Sequence, residues 1–172
     1  MFGLFTRAQL KGKVLLQRRN VLDLNHSGGA PLSHDTWDEF TTKGVTCQLI
    51  SSTVADQTKQ LTRMGHHRCT DDASRGLVGE EERVEHWVMH LPPMTHSDTT
   101  YDVTFDWDVK KQGLPGAVIV RNYHATQFLL KTITIDHVPG HHGPIVFIAN
   151  SWVYNTDKYH YDRVFFTNDV RV

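Results

Sequence analysis

Between Tyr101 and Val109 every second residue is apolar: Tyr101, Val103, Phe105, Trp107 and Val109 alternate with Asp102, Thr104, Asp106 and Asp108. A period of two sends the two sets to opposite faces of an extended chain, so this stretch predicts a strand with one buried face and one wet face. Such a face needs a second apolar layer to cover it, and the rest of the chain supplies one in the same form. A long first strand is expected from Lys11 to about Leu24, with Val14 and Leu16 on one side. In a second, Val45, Cys47 and Leu49 face one way while Thr46, Gln48 and Ile50 face the other. Ala117-Val118-Ile119-Val120 is nearly continuous apolar chain and reads as a central strand. Phe128–Ile135, Ile145–Ala149 and Arg163–Phe166 complete the series, separated by breakers such as Gly113-Leu114-Pro115-Gly116 and Pro139-Gly140-His141-His142-Gly143-Pro144. Short strands rich in Val, Ile, Phe and Thr, with no helix-length segment between them, predict an all-β fold: an antiparallel sandwich of about eight strands.

Two regions lack a clear period. Residues from about Ser51 to Glu82 mix Gln, Thr, Lys, Arg, His, Asp and Gly, and are expected to form a long polar loop at about 52–83. Val84, Trp87, Val88 and Leu91 fit either a short strand or a helical turn before Pro92-Pro93. Within the loop, His66-His67-Arg68-Cys69 with Asp71 and Asp72 offers metal-binding residue types, yet no second pair at a recognisable spacing completes a zinc site. His141-His142 sits in a turn, where two solvated imidazoles are expected.

Composition narrows the function classes. With 172 residues, 39% of them hydrophobic and 22% charged, the chain suits one folded domain. Eighteen Lys and Arg against nineteen Asp and Glu leave a formal net charge of −1, which provides no global field for nucleic acid. Twelve histidines would make the chain basic on acidification. Two cysteines, one inside an apolar strand, do not make a disulfide framework, which fits a reducing compartment. No signal peptide or transmembrane segment is evident, so the expectation is a cytoplasmic protein with at most peripheral membrane contact. No nucleophile elbow, phosphate loop or carboxylate pair appears, and no catalytic residue is assigned.

Several stretches resemble a known family. Lys11-Gly-Lys-Val-Leu-Leu-Gln-Arg-Arg-Asn-Val-Leu-Asp, Gly44-Val-Thr-Cys-Gln-Leu-Ile-Ser, Val103-Thr-Phe-Asp-Trp-Asp-Val, Gly113-Leu-Pro-Gly-Ala-Val-Ile-Val-Arg-Asn, Asn150-Ser-Trp-Val-Tyr and Arg163-Val-Phe-Phe-Thr-Asn-Asp are similar to the N-terminal PLAT (LH2) domain of plant lipoxygenases. The likeness is greatest to the cytosolic kind that oxygenates linoleate at carbon 9. It implies a C2-like, eight-stranded β-sandwich of two four-stranded sheets over residues 11–169, with an extension at 1–10 and a divergent end at 170–172. It also implies a lipid- or protein-docking module of a truncated lipoxygenase, the alternative being part of a linoleate dioxygenase in oxylipin biosynthesis. The non-haem iron of such enzymes belongs to a catalytic domain absent from this chain.

The resemblance directs attention to the loops. Calcium draws some relatives to membranes and wants several hard oxygen ligands. Here Asp23 and Asn25 are weak candidates, and the loop at 122–127 has no acid. Lipid contact calls for aromatic side chains at loop tips, where Tyr123 and His124 are expected to lie, followed by Trp37 and Trp87. Trp107 shares its face with Val103 and Phe105 and is expected in the core. Trp152 and Tyr154 lie where a relative's chain approaches its catalytic domain, and form the expected inter-domain or partner face.

Overall fold

In the computed structural model, residues 8–18, 44–56, 76–87, 98–124 and 127–168 are described. They form β1 (Gln9–Arg18), β2 (Val45–Ala55), β3 (Gly76–Arg83), β4 (Asp98–Asp106), a single helical turn α1 (Val109–Gln112), β5 (Pro115–Asn122), β6 (Phe128–Asp136), β7 (Ile145–Val153) and β8 (Arg163–Phe166). Two antiparallel four-stranded sheets result, ordered β4-β1-β6-β7 and β3-β2-β5-β8. This is the β-sandwich expected from the strand pattern.

The alternation read from the sequence explains which sides face inward. On β4, Tyr101, Val103 and Phe105 are buried; on β2, Val45, Cys47 and Leu49; on β5, Val118 and Val120. Strand β6 buries Phe128 and Leu130, then Ile133 and Ile135, so its inward set slips by one residue. The slip is a bulge: Leu16 pairs with Leu130 while Leu15 pairs with Thr132, which leaves Lys131 as the extra residue against β1. Without it, a strict period of two would turn one half of β6 inside out.

Three expectations are corrected. The polar stretch at 52–83 is not all loop, since β2 runs on to Ala55 and β3 occupies Gly76–Arg83. Strand β3 escapes detection because it is an edge strand carrying Glu80, Glu81, Glu82 and Arg83, and because Gly79 lies where a core side chain would be expected. A β-carbon on Gly79 would come within 2.8 Å of the Trp107 ring, so that indole occupies the missing side chain's space. Second, Val109 does not continue β4. Asp108 caps α1, its carboxylate accepting from the Lys110 amide at 3.0 Å, and Trp107 is fixed by its Nε1 donating to the Gly113 carbonyl at 2.9 Å. Third, β1 begins at Gln9, two residues before the expected boundary.

The sheets join differently at their two sides. On one, β3 passes into β4 through a bridge between Val84 and Val103 and the Glu85 amide donating to the Asp102 carbonyl. On the other, β7 and β8 are the outermost strands of their sheets, linked by a bridge between Phe147 and Thr167.

Candidate functional site

The far ends of β5 and β7 meet at one end of the sandwich. Asn122, fully buried, pairs in parallel with Asn155, and its carbonyl accepts from the Thr156 amide at 2.8 Å. Asn155 returns the contact through Nδ2, which donates to the His124 carbonyl at 3.0 Å, while its Oδ1 accepts from the Asp157 amide at 2.8 Å. Two asparagines thereby tie the β5–β6 loop to the β7–β8 loop, each short side chain mimicking a turn of backbone.

Tyr123 and His124, the expected loop-tip residues, lie in this end and are both half-buried. The Tyr123 ring lies over the outer face of the second sheet, its hydroxyl donating to Glu81 Oε1 at 2.8 Å. Burial and that bond hold the phenol above its ordinary value, so it stays a neutral donor. The His124 ring stands edge-on to Trp87 at 6.4 Å. Trp87 itself is a correction: only 4% exposed, it packs between Tyr101 and Phe128, with ring centroids at 5.1 and 5.2 Å, and plugs this end of the core from inside. Its position just after the bridging Val84 turns the indole inward, so it is not a lipid contact. Trp37, Asp23 and Asn25 lie outside the described residues.

Tyr154 is half-buried and stacks on Tyr159 at 4.7 Å. Trp152, on β7 opposite Leu129 of β6, is 37% exposed. It belongs to a larger set that the sequence reading missed. The exposed large hydrophobic residues among those described are Ile148, Trp152, Tyr159, Tyr161, Val164 and Phe166, all on β7, β8 or the loop joining them. On β8, Val164 and Phe166 point outward beside Ile119 and Ala117 of β5, and Phe166 is 70% exposed. A set confined to one edge is not the scatter of apolar residues that any surface carries.

The edge offers side chains more readily than backbone. Two β7 residues, Ala149 and Asn150, stand where β6 has Lys131, and Asn150 adopts φ 42°. Such a bulge kinks the strand, one of the devices by which edge strands avoid pairing with foreign strands. Arg163 of β8 donates to Ser151 of β7 and fastens the two edges together.

No group of three His, Cys, Asp or Glu able to hold an ion occurs among the described residues. In the β5–β6 loop the Asn122 side chain is spent on Val153 and His124. His141 Nδ1 lies 2.9 Å from the Gly143 carbonyl in an open turn. Each of these groups already has a hydrogen-bond partner within the chain. Among the described residues no helix is long and apolar enough to cross a membrane.

Comparison with known proteins gives this arrangement a context. The PLAT/LH2 domain model matches residues 66–166. The chain is 51% identical, over 97% of its length, to the Oryza sativa subsp. japonica protein named linoleate 9S-lipoxygenase 3, covering 18% of that protein. It is 50% identical over 94% of its length to linoleate 9S-lipoxygenase 1 of Hordeum vulgare, and 36% identical over 95% to linoleate 9S-lipoxygenase 1 of Arabidopsis thaliana, covering 17% of each. The chain thus spans less than a fifth of the length of these relatives.

Proposed function

Since the chain belongs to the PLAT/LH2 domain family, we propose that it is a non-catalytic association domain that packs through its β7–β8 edge against the remainder of a lipoxygenase-type polypeptide. One observation carries this reading: the exposed large apolar side chains among the described residues all fall on that edge and its loop. More than four-fifths of each relative's length lies outside the match and supplies a candidate partner for that edge. An apolar edge blunted against strand addition suits a folded partner surface, and Trp152 and Phe166 are the kind of large side chain that anchors an interface. Linoleate oxygenation and its iron belong, on this reading, to the partner part, since the chain matches only 17–18% of relatives named for that activity.

The test is calorimetric titration of the chain with the remainder of the barley relative, expressed without its own matched region. Binding is expected, and Ile148→Lys with Phe166→Glu should weaken it by about 2 kcal/mol or more, the scale of an interface hot spot. The chain alone should take up no oxygen with linoleate. Oxygen uptake, or titration curves indifferent to both substitutions, would sink the proposal.

A second reading rests on the loop end. Tyr159 and Tyr161 are exposed, the latter 88%, with Lys158 and His160 beside them and Tyr123 and His124 on the neighbouring loop. Tyrosine beside lysine is a composition suited to a headgroup-depth membrane contact. On this reading the domain touches lipid peripherally, in the cytoplasm, through that end.

A further inference from the structure

Arg121 is the next-to-last residue of β5 and faces Thr46 of β2 across the second sheet. Its half-buried guanidinium gathers an acceptor from each of three neighbouring segments. Nη1 donates to Gln48 Oε1 on β2 at 2.8 Å. Nε and Nη2 grip the two oxygens of Asp162, at the close of the β7–β8 loop, both at 2.8 Å. Glu81 on β3 lies 3.7 Å from Nη1 and itself accepts from the Tyr123 hydroxyl at 2.8 Å and from Thr46 Oγ1 at 2.6 Å. One network therefore holds residues of both contact loops.

The β7–β8 loop is anchored at its start by Asn155 and at its close by Asp162, and Tyr159 and Tyr161 are exposed between those anchors. Without the Asp162 grip the loop keeps its Asn155 turn, the Tyr154–Tyr159 contact and the β8 pairing that starts at Arg163, but the stretch carrying Tyr161 loses the side-chain bonds that fix it. A loop that is already ordered loses less entropy on binding than one that must be ordered by the encounter.

We propose that Arg121 is a positioning residue for lipid contact: by gripping Asp162 it fixes the β7–β8 loop, and through Glu81 it holds Tyr123, so that the tyrosines meet a phospholipid interface as one preformed group. This rests on the lipid reading of the loop end. Geometry is what the site requires of the residue, since lysine keeps the charge but lacks the planar two-bond fork.

The experiment compares the wild-type chain with Arg121→Lys and with Asp162→Ala, the second variant leaving the sheet untouched. Amide exchange is measured at 156–162 and at the core positions Val118 and Ile133, and binding is measured by sedimentation with vesicles of equimolar phosphatidylcholine and phosphatidylserine. In both variants exchange at 156–162 should quicken about tenfold while the core stays protected, and vesicle affinity should fall about fivefold, as expected when one charge-assisted anchor of a surface loop is removed. Unchanged exchange at 156–162 overturns the assignment, as does quickened exchange with vesicle affinity unaltered. Quickened exchange in a chain whose wild type ignores vesicles would instead overturn the lipid reading, with the loop-fixing role of Arg121 upheld.

Discussion

Cys47 shows how a single residue carries the fold's constraints. Its thiol is fully buried on the inward face of β2, and burial alone pushes it from an ordinary 9.0 up to about 12. A folded-state value above the unfolded one means that the folded form disfavours the thiolate. The contribution is therefore fully present below pH 9 and is lost as pH rises toward 12. Unfolding free energy measured in urea should fall in the wild type, relative to Cys47→Ala, by about 1.4 kcal/mol per pH unit above 9; a constant difference between the two proteins would contradict this. The burial of Cys47 and of Trp107 was legible in the sequence, because each sits in an alternating stretch whose face is set by its neighbours. Trp87 was not. It stands beside a turn, where nothing in the spacing says whether an indole points into the core or away from it.

Among the elements, β7 and β3 show what a strand pattern conveys and what it leaves out. The apolar positions of β7 mark it as a strand, but the bulge at Ala149 and Asn150 appears only once the pairing with β6 is known. Asn150 holds φ 42°, a conformation Asn and Gly adopt readily and β-branched residues resist. Asn150→Gly should leave the melting temperature nearly unchanged, whereas Asn150→Val should cost roughly 1–2 kcal/mol, the penalty of a β-branched residue forced left-handed. Equal stability of the two variants would mean that the bulge does not require this geometry. Strand β3 was read as loop for the opposite reason: beyond the adjacent pair Leu77 and Val78 its residues are glycine or charged, so no hydrophobic period announces the backbone pairing with β2. Element identity at an edge is decided by the neighbour, not by the strand's own sequence.

For the whole molecule, the decisive property is which edge lies open. One side of the sandwich passes from β3 into β4 through Val84 and Val103, while the other carries Ile148, Trp152, Val164 and Phe166 outward. The sequence already singled out Trp152 and Tyr154 through the family resemblance. It could not single out Phe166, because an alternating strand has two faces and only the assembled sheets show which face lacks a cover, nor Tyr161, because a loop residue belongs to no period. The same assembly brought Tyr123, His124 and Tyr154 to one end, though they come from separate loops. The claim that this edge is the docking surface is tested most directly by amide exchange of the chain with and without the remainder of the barley relative. Protection is expected at 146–153 and 163–167, with none at 76–83. Protection that falls instead on β3 and β4, or a map unchanged by the partner, would contradict it.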